Sequence, residues 1–314
     1  MKILFAGTPD FAIPSLEILN DHFPIVAVLT QPTAGKGRGQ KLVDSPIKKK
    51  ALALGLKVFE SEELNSAFLN EIKELAADLL VCVAYGKIFK NDFLNLFPYG
   101  GINLHPSLLP RHRGPAPIPA AILAGDTETG VTIQRLILKM DAGPILAQQK
   151  ITISDNDTTG SLSPRLARMG ALLLPTVIAK LKTGQLSEIP QDDNLATYCK
   201  LLKKTDGELS FKESALTISR MIRAYQPWPQ VYSFWKGKRL FFLEGRPYPH
   251  KPSDSTKPAG LVLGIDKESG ILINTCQGVL SVSRLQLEFK KPLFWRDFLN
   301  GHKDFIGSIC GGQV

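Results

Sequence analysis

The hydrophobic pattern divides the chain into two parts near residue 185. In the first part, short apolar runs that are typical of buried strands alternate with stretches in which apolar residues recur at helical spacing. The pattern predicts strands at 2–6, 25–30, 58–59, 79–84, 102–105 and 131–138, and helices at 11–20, 46–54, 65–76 and 161–181, the last kinked or split at Pro175. This alternation predicts a Rossmann-like α/β fold, with a mostly parallel sheet and helices on both faces.

The second part has a different pattern. Residues 185–206 are polar and irregular, as in a linker, and an amphipathic helix is predicted at 214–225. Short strands separated by turns are predicted at 232–235, 239–243, 260–265, 271–275 and 279–287. Hairpins at this spacing indicate a small C-terminal β-barrel of the OB-like type. The predicted domains are therefore a catalytic domain at 1–187, a linker at 188–205 and a barrel at 206–314.

Composition agrees with a folded, two-domain chain. The 314 residues are 44% hydrophobic, which is enough for buried cores. No apolar run approaches twenty residues and no leader-like segment opens the sequence, so we expect a cytoplasmic protein without a membrane span. The four cysteines are scattered without a CxxC pair, which favours free thiols over a disulfide framework or a zinc site.

Candidate chemistry is densest at the predicted strand 102–105. Asn103 and His105 are two residues apart, so both side chains project from one face of the strand. An amide and an imidazole side by side are suited to stabilising negative charge on an acyl oxygen. Asp141 follows a later apolar strand and is a candidate to orient His105, hold it cationic or relay a proton. Purely structural interpretations, namely a capped strand end and a turn-forming aspartate, stay open on spacing alone.

The first turn argues against a dinucleotide site. Gly7-Thr8-Pro9-Asp10 follows the first predicted strand, and no second or third glycine completes a G-x-G-x-x-G pattern. Pro9 also removes one backbone donor from the turn. A nicotinamide-dependent dehydrogenase is therefore disfavoured despite the Rossmann-like pattern.

Distinctive short motifs occur along the whole chain. They are Phe5-Ala6-Gly7-Thr8-Pro9-Asp10, Thr30-Gln31-Pro32, Gly37-Arg38-Gly39, Val83-Ala84-Tyr85-Gly86, Asn103-Leu104-His105-Pro106-Ser107-Leu108-Leu109-Pro110, Arg113-Gly114-Pro115, Met140-Asp141-Ala142-Gly143 and Ala224-Tyr225-Gln226-Pro227-Trp228-Pro229. In order and spacing they closely resemble the methionyl-tRNA formyltransferase family. One departure is His112, which stands where the family pattern has a bulky aromatic residue.

The resemblance implies an activity, a co-substrate and a set of site residues. The formyl group of 10-formyltetrahydrofolate passes to the free amino group of methionyl-tRNA, with Asn103, a protonated His105 and Asp141 as the catalytic set. It also implies a folate pocket with apolar walls and backbone polar groups. The residues expected to line this pocket are Tyr85, Gly86, Lys87, Ile88, Ser107, Leu108, Leu109 and Pro110.

Charge points to a polyanionic partner. The net charge is +9, and residues 34–50 carry six basic residues against one acid. The resemblance implies that this segment enters the acceptor arm of initiator tRNA, with Arg38 as its most specific residue. The expected tRNA-binding residues are Lys36, Arg38, Lys41, Lys48 and Lys49. Residues 206–314 add fifteen basic residues against ten acidic ones, which suits contacts to backbone phosphates.

Two alternatives stay open beside this reading. A formyltransferase that acts on a small-molecule amine predicts full activity without residues 206–314. A nucleic-acid-binding protein without catalysis predicts tRNA binding that survives the loss of Asn103. No metal is required by the expected chemistry, and we expect a monomer that binds initiator methionyl-tRNA and the folate co-substrate.

Overall fold

The structure is a computed structural model that describes residues 1–36, 41–249 and 252–311. Its contacts divide the chain into two compact units. The first comprises Met1–Ile118, Thr127–Ile153 and Leu162–Lys200, and the second comprises Pro119–Asp126, Ser154–Ser161 and Leu201–Val314. Residues 188–200, which the sequence assigns to the linker, are thus part of the first unit.

A sheet of seven strands, mostly parallel as predicted, forms the centre of the first unit. The strands of this unit are β1 (Ile3–Gly7), β2 (Ile25–Thr30), β3 (Ala34–Lys36), β4 (Lys41–Val43), β5 (Val58–Glu60), β6 (Leu79–Val83), β7 (Gly101–His105), β8 (Glu128–Arg135) and β9 (Ile145–Thr152). Their order in the sheet is β5-β2-β1-β6-β7-β8-β9, while β3 and β4 form a separate hairpin. Every residue of β1, β6 and β7 is buried, so the middle of the sheet is covered on both faces.

One edge of this sheet differs from the prediction. The strand expected at 131–138 ends at Arg135, and β9, which was not predicted, follows it. β8 runs antiparallel to both β7 and β9, whereas β5, β2, β1, β6 and β7 are mutually parallel. β9 was missed because an edge strand carries exposed polar residues in place of a continuous apolar run.

Local signals in the sequence set several helix ends. The helices with residues in the first unit are α1 (Ile13–His22), α2 (Pro46–Ala53), α3 (Ser66–Glu74), α4 (Asn91–Leu94), α5 (Pro117–Ala124) and α6 (Thr159–Lys182). Ser45 caps α2 by accepting from the Lys48 backbone N–H at 3.1 Å, and Gly55 follows with φ +71°. α6 is one continuous element, so of the two outcomes predicted at Pro175 a split is excluded.

The second unit is built on an antiparallel sheet, as predicted. Its elements are α7 (Ala215–Ala224), β10 (Val231–Trp235), β11 (Lys238–Tyr248), β12 (Val262–Asp266), β13 (Gly270–Asn274), β14 (Val279–Leu287), β15 (Leu293–Phe294) and α8 (Trp295–Gly301). The strand order is β10-β11-β14-β13-β12, with β15 paired to β14.

The C-terminal segment connects the two edges of this second sheet. On one side, the Val262 backbone N–H of β12 donates to the Ser308 carbonyl at 2.9 Å. On the other side, the Gly311 N–H donates to the Phe234 carbonyl of β10 at 3.0 Å. These bonds place residues 308–311 between β12 and β10, which gives the sheet the closed, barrel-like form expected from the sequence.

Candidate active site

Asn103 and His105 meet Asp141 on one face of the central sheet. The Asn103 amide nitrogen lies 3.4 Å from Asp141 Oδ1, and His105 Nδ1 lies 3.6 Å from the same oxygen. Asn103 and His105 are only 9% and 4% exposed. The predicted same-face placement of the two β7 side chains is confirmed by their shared partner.

Asp141 reaches this cluster by a route that the sequence did not predict. Because β8 is antiparallel to β7, its carboxyl end at Arg135 lies opposite Ile102, near the start of β7. The following loop turns back, and Asp141 adopts a left-handed φ of +50°. A Cβ at Gly143 would collide with the Arg135 carbonyl oxygen, so only glycine allows this close return. Asp141 thereby lies beside the side chains of Asn103 and His105 on one face of the sheet.

Both oxygens of the Asp141 carboxylate accept hydrogen bonds. The Gln134 amide nitrogen donates to Oδ1 at 2.9 Å, and the Gly114 backbone N–H donates to Oδ2 at 2.8 Å. Gln134 is 1% exposed. Bonds to an ionised acceptor are stronger than neutral ones, so these donors hold the carboxylate in a fixed orientation.

The buried ring of His105 has a shifted pKa. Burial lowers its pKa, and this effect outweighs the opposing influences of Asp141 and of the His112 carbonyl. Its Nε2 lies 2.9 Å from the His112 carbonyl oxygen, which can only accept, so Nε2 carries the proton. Nδ1 faces Asp141 Oδ1 at 3.6 Å, and in the neutral ring this nitrogen is the unprotonated one. The direction of this shift favours the neutral ring, whereas the sequence analysis expects a cationic histidine, because spacing reveals partners but not the cost of desolvation.

Polar side chains on β8 and β9 extend the site and were missed in the sequence. Thr132 donates to the Ser107 carbonyl at 2.7 Å and accepts from the Leu109 backbone N–H at 3.2 Å. Gln148 donates to the Leu109 carbonyl at 2.8 Å. These bonds fix the turn after β7. The alternation of polar Thr132 and Gln134 with buried Val131 and Ile133 was the available signal.

The turn formed by Ser107, Leu108, Leu109 and Pro110 lies directly after β7, as expected for one wall of a folate pocket. Ser107 and Leu109 are buried, whereas Leu108 and Pro110 remain partly accessible. Ser107 donates its hydroxyl to the Arg111 carbonyl at 2.7 Å. The turn therefore presents mainly Leu108 and Pro110 toward solvent.

The other expected wall follows β6, and its residues divide into exposed and buried ones. Gly86 is exposed with φ +92°, and Ile88 is 54% exposed. The Lys87 amine donates to the carbonyls of Ser61 and Glu62. β6 and β7 are adjacent and parallel, so both expected walls lie at the same edge of the sheet.

Tyr85 does not present its ring to a ligand. The side chain is 1% exposed and stacks on Phe89 with the ring centroids 5.2 Å apart. Burial raises the pKa of its hydroxyl to about 12. Its carbonyl oxygen accepts from the Thr8 hydroxyl at 3.0 Å and from the Gln31 amide at 3.2 Å. The ring belongs to the core beneath that loop, so Tyr85 can line the expected folate pocket only through its backbone.

The basic residues expected to contact tRNA differ in their surroundings. Arg38 lies outside the described residues, while Lys36, the last residue of β3, is paired with Lys41, the first residue of β4. Lys49 is exposed on α2, and within the described parts of the chain no ion pair involves it.

Lys48 is held in an ion-pair cluster. Its amine contacts Asp44 at 2.7 Å and Glu60 at 2.8 Å and donates to Thr33 at 3.1 Å. The contact with Asp44 lowers the pKa of that carboxyl and raises the pKa of Lys48. The amine of Lys48, which the sequence analysis expects to contact tRNA, is therefore paired with two carboxylates in this structure.

Two general properties of the described residues bear on function. Across 1–36, 41–249 and 252–311, no group of three or more His, Cys, Asp or Glu residues is placed to hold a metal ion. Within the same ranges, none of the helices combines the length and apolar character needed to cross a membrane.

Comparison with known proteins assigns this fold and site to a class. The chain belongs to the formyl transferase family, whose formyl transferase model matches residues 1–178 and whose C-terminal domain model matches residues 201–303.

Within that family, the chain is similar over nearly its full length to methionyl-tRNA formyltransferases. The methionyl-tRNA formyltransferase of Treponema denticola is 44% identical over 316 residues, covering 98% of each chain. That of Treponema pallidum (strain Nichols) is 43% identical, covering 96% of each chain, and that of Dictyoglomus thermophilum is 38% identical, covering 98% of this chain and 99% of its own.

Solved structures with lower identity share the fold. The sugar 3N-formyl transferase WlaRD, crystallised in the presence of dTDP and 5-N-formyl-THF, aligns with TM-score 0.64 at 19% identity over 93% of this chain and 99% of its own. The N-formyltransferase of Helicobacter canadensis, solved with folinic acid and dTDP-3-aminofucose, aligns with TM-score 0.63 at 21% identity over 90% of this chain and 98% of its own.

Proposed function

We propose that this protein transfers the formyl group of 10-formyltetrahydrofolate to the free amino group of methionine carried by initiator tRNA. The product is N-formylmethionyl-tRNA, which serves translation initiation. One observation carries the proposal: Asn103, His105 and Asp141 form a single cluster in a chain that matches methionyl-tRNA formyltransferases at 38–44% identity along nearly its whole length.

The reaction needs a neutral amine and a stabilised oxyanion. The amine attacks the formyl carbon, a C–N bond forms, and the carbonyl oxygen becomes negative in the tetrahedral intermediate. The bond from this carbon to the folate nitrogen then breaks, and the proton lost by the amine ends on that nitrogen. The Asn103 amide is the donor that we assign to the oxyanion, a contribution of about 2.7–4 kcal/mol in comparable sites.

We assign the proton transfer to His105. Its Nε2–H bond to the His112 carbonyl leaves Nδ1 as the nitrogen that takes a proton from the attacking amine. Asp141 Oδ1, 3.6 Å from Nδ1, then stabilises the imidazolium that forms. In this scheme a neutral resting histidine is the competent form, and it replaces the protonated donor expected from the sequence.

The folate co-substrate is proposed to lie between the two loops at the carboxyl edge of β6 and β7. Leu108 and Ile88 offer partly exposed apolar surface, and Gly86 leaves backbone groups accessible. Such walls suit a pterin ring, which needs apolar contact and a few polar groups for orientation. Tyr85 contributes only its backbone position to this pocket.

The tRNA is proposed to contact basic residues of the first unit and the basic second unit. Within residues 34–50 we retain Lys36, Arg38, Lys41 and Lys49 for this role and remove Lys48, which is paired. We also propose a cytoplasmic location, where initiator tRNA is charged, and a monomeric state.

A second candidate is a formyltransferase for a small-molecule amine. The observation in its favour is that WlaRD, which shares the fold, is a sugar 3N-formyl transferase, and that the Helicobacter canadensis N-formyltransferase was solved with dTDP-3-aminofucose. Their identity of 19% and 21% is about half that of the methionyl-tRNA formyltransferases. The basic segment also has no evident use for a small substrate.

The decisive experiment supplies the full-length protein with formyl-labelled 10-formyltetrahydrofolate and three acceptors in parallel. These are methionyl initiator tRNA, free methionine and an amino-sugar nucleotide. We expect labelled formylmethionine only from the charged tRNA. Transfer to the sugar nucleotide alone establishes the second candidate, and tRNA binding without transfer to any acceptor establishes a non-catalytic RNA-binding protein.

A further inference from the structure

We propose that Gln191, which lies outside the predicted catalytic domain, is a positioning residue. It holds the Asp141 loop and the side-chain amide of Gln134, which donates to Asp141. Gln191 lies in the segment that the sequence assigned to the linker, fifty positions beyond Asp141. The inference rests on the proposed function, because it assigns Gln191 a part in the same reaction.

Gln191 joins a buried arginine to the Asp141 loop. Its Oε1 accepts two bonds from Arg113, from Nε at 3.0 Å and from Nη2 at 2.8 Å. Its Nε2 donates to the carbonyl oxygens of Asp141 at 2.9 Å and Gly143 at 2.7 Å. The Arg113 side chain is 0% exposed, so this connection is shielded from water.

The chemistry of Arg113 fixes the direction of every bond in this network. A guanidinium has donors only, so the Gln191 oxygen must face it and the Gln191 NH₂ must face the loop. That NH₂ also lies 3.1 Å from Gln134 Oε1. Gln134 therefore uses its oxygen for Gln191 and presents its own NH₂ to Asp141 Oδ1 at 2.9 Å. Arg113 thus sets the orientation of two successive amides.

Loss of Gln191 removes this constraint in two places. The Asp141 and Gly143 carbonyls lose the donor that holds the left-handed turn at Asp141 against the sheet. Gln134 also loses the partner that prevents its amide from rotating. A rotated Gln134 would point an oxygen at the Asp141 carboxylate, which is repulsive.

Asp193, in the same segment, provides a control. It helps to attach the segment to the rest of the first unit, and, within the described part of the chain, it does not contact the residues that Gln191 positions. Asp193 pairs with Arg113 at 2.8 Å and with Lys139 at 2.5 Å. It makes no bond to the Gln134–Asp141 pair among the described contacts. Asp193→Asn therefore weakens docking of the segment while the two amides keep their orientation.

Gln191→Glu offers a closely matched probe. A glutamate keeps an acceptor for Arg113 and the same side-chain volume, but it places an oxygen where the NH₂ met the loop carbonyls and Gln134. Gln191→Leu removes both functions. These two variants distinguish two roles of Gln191. In one, its oxygen only attaches the segment to Arg113; in the other, its NH₂ group also positions Asp141.

The test is steady-state formylation of methionyl initiator tRNA by the full-length protein and its variants Gln191→Glu, Gln191→Leu and Asp193→Asn, with thermal unfolding measured for each. We expect kcat to fall at least about tenfold in both Gln191 variants, corresponding to about 1.4 kcal/mol of barrier. KM for folate and tRNA should stay within about twofold, and Asp193→Asn should keep kcat within about twofold.

Three outcomes overturn the inference. They are an unchanged kcat in Gln191→Glu with a folded protein, an equal loss of kcat in Asp193→Asn, and a loss confined to KM. If Gln191→Leu does not fold, Gln191→Glu and Asp193→Asn still decide the question. If the wild-type protein fails to formylate the tRNA, the proposed function is wrong, and that result is separate from these three.

Discussion

Asn103 on β7 and Gln134 on β8 are register partners, and both direct an amide nitrogen at the same oxygen of Asp141. The distances are 3.4 Å from Asn103 and 2.9 Å from Gln134. Partners in an antiparallel pair project to the same face. One side chain from each strand therefore contacts the carboxylate of the returning Asp141 loop.

Replacing Gln134 with methionine tests the contribution of its hydrogen bond to Asp141. The change keeps the side-chain length and removes the donor to a nearly buried carboxylate. Hydrogen bonds to charged groups contribute about 1.5–3 kcal/mol, so we expect a loss of that order in the free energy of unfolding. We also expect kcat to fall, because Asp141 is no longer held beside His105. Urea unfolding and steady-state formylation provide the measurements.

The matched control for Gln134 is Gln148→Met on the neighbouring strand. Gln148 donates to Leu109 and Thr132 and makes no contact with Asp141 among the described hydrogen bonds. Its loss should alter folate KM more than kcat, because it supports the turn after β7. Equal effects of the two variants on kcat would contradict the distinct role assigned to Gln134.

Removing the proposed oxyanion donor should separate turnover from binding. Asn103→Ala is expected to lower kcat by about 10²–10³-fold, which corresponds to about 2.7–4 kcal/mol. KM for folate should change little, because the oxyanion exists only after attack. Asn70→Ala, an exposed change on α3, serves as the control. A normal kcat in a folded Asn103→Ala protein would remove this residue from the mechanism.

The sequence predicts the pieces of the site that depend on strand period, and it misses those that depend on the path of the chain. Asn103 and His105 share a face because alternate residues of any strand do. The position of Asp141 depends on β8 being antiparallel, which a single apolar run does not reveal. Gln191 has even less local signal, since a polar residue in an irregular segment also fits a solvated linker.

The burial and the partners of side chains are a second property that the sequence does not predict. Tyr85 lies in a motif that the resemblance connects with folate, yet its ring faces the core and stacks on Phe89. Lys48 belongs to a basic cluster in the sequence, yet folding brings Glu60 to within 2.8 Å of its amine. In each case residue identity alone leaves the side chain's surroundings unknown, and these surroundings decide its role.

Burial of His105 should appear in the pH dependence of stability. The folded state lowers the pKa of His105 below the value of about 6.5 expected in the unfolded chain, with Asp141 and His112 as the charged and titratable groups facing it. Between the lowered pKa and 6.5, the unfolded state binds more protons, so this contribution falls with falling pH and is fully present above 6.5.

His105→Asn removes that titration. The difference in the free energy of unfolding between the wild type and the variant, measured by urea unfolding at pH 8 and pH 5, should therefore be larger at pH 8. A difference that grows toward pH 5 would indicate a raised pKa and a cationic resting histidine.

Arg38 lies outside the described residues, and its role is predicted from the sequence. Gly37 and Gly39 on either side allow close backbone approach to a partner, and a guanidinium makes paired hydrogen bonds. We expect Arg38→Ala to reduce formylation of initiator tRNA at saturating folate by more than Lys41→Ala does. The two variants are compared in low and in moderate salt. Equal small losses that moderate salt abolishes would show that the segment supplies only diffuse charge.

Lys48 and Lys49 are adjacent lysines for which the structure predicts opposite behaviour. Lys49 is exposed, so a phosphate contact by this residue releases condensed counterions. Lys49→Ala should weaken binding of all tRNAs alike and reduce the slope of log affinity against log salt by up to about one. Lys48 is held by Asp44 and Glu60, so Lys48→Ala should leave that slope unchanged and lower the melting temperature instead. Glu60→Gln should reproduce the melting effect of Lys48→Ala, because it breaks the same cluster from the other side. tRNA binding measured by filter retention at four salt concentrations, with thermal unfolding of the same preparations, separates the two roles. If both lysine variants reduce the slope equally, Lys48 leaves Asp44 and Glu60 to contact the RNA, and its ion-pair cluster does not persist in the complex.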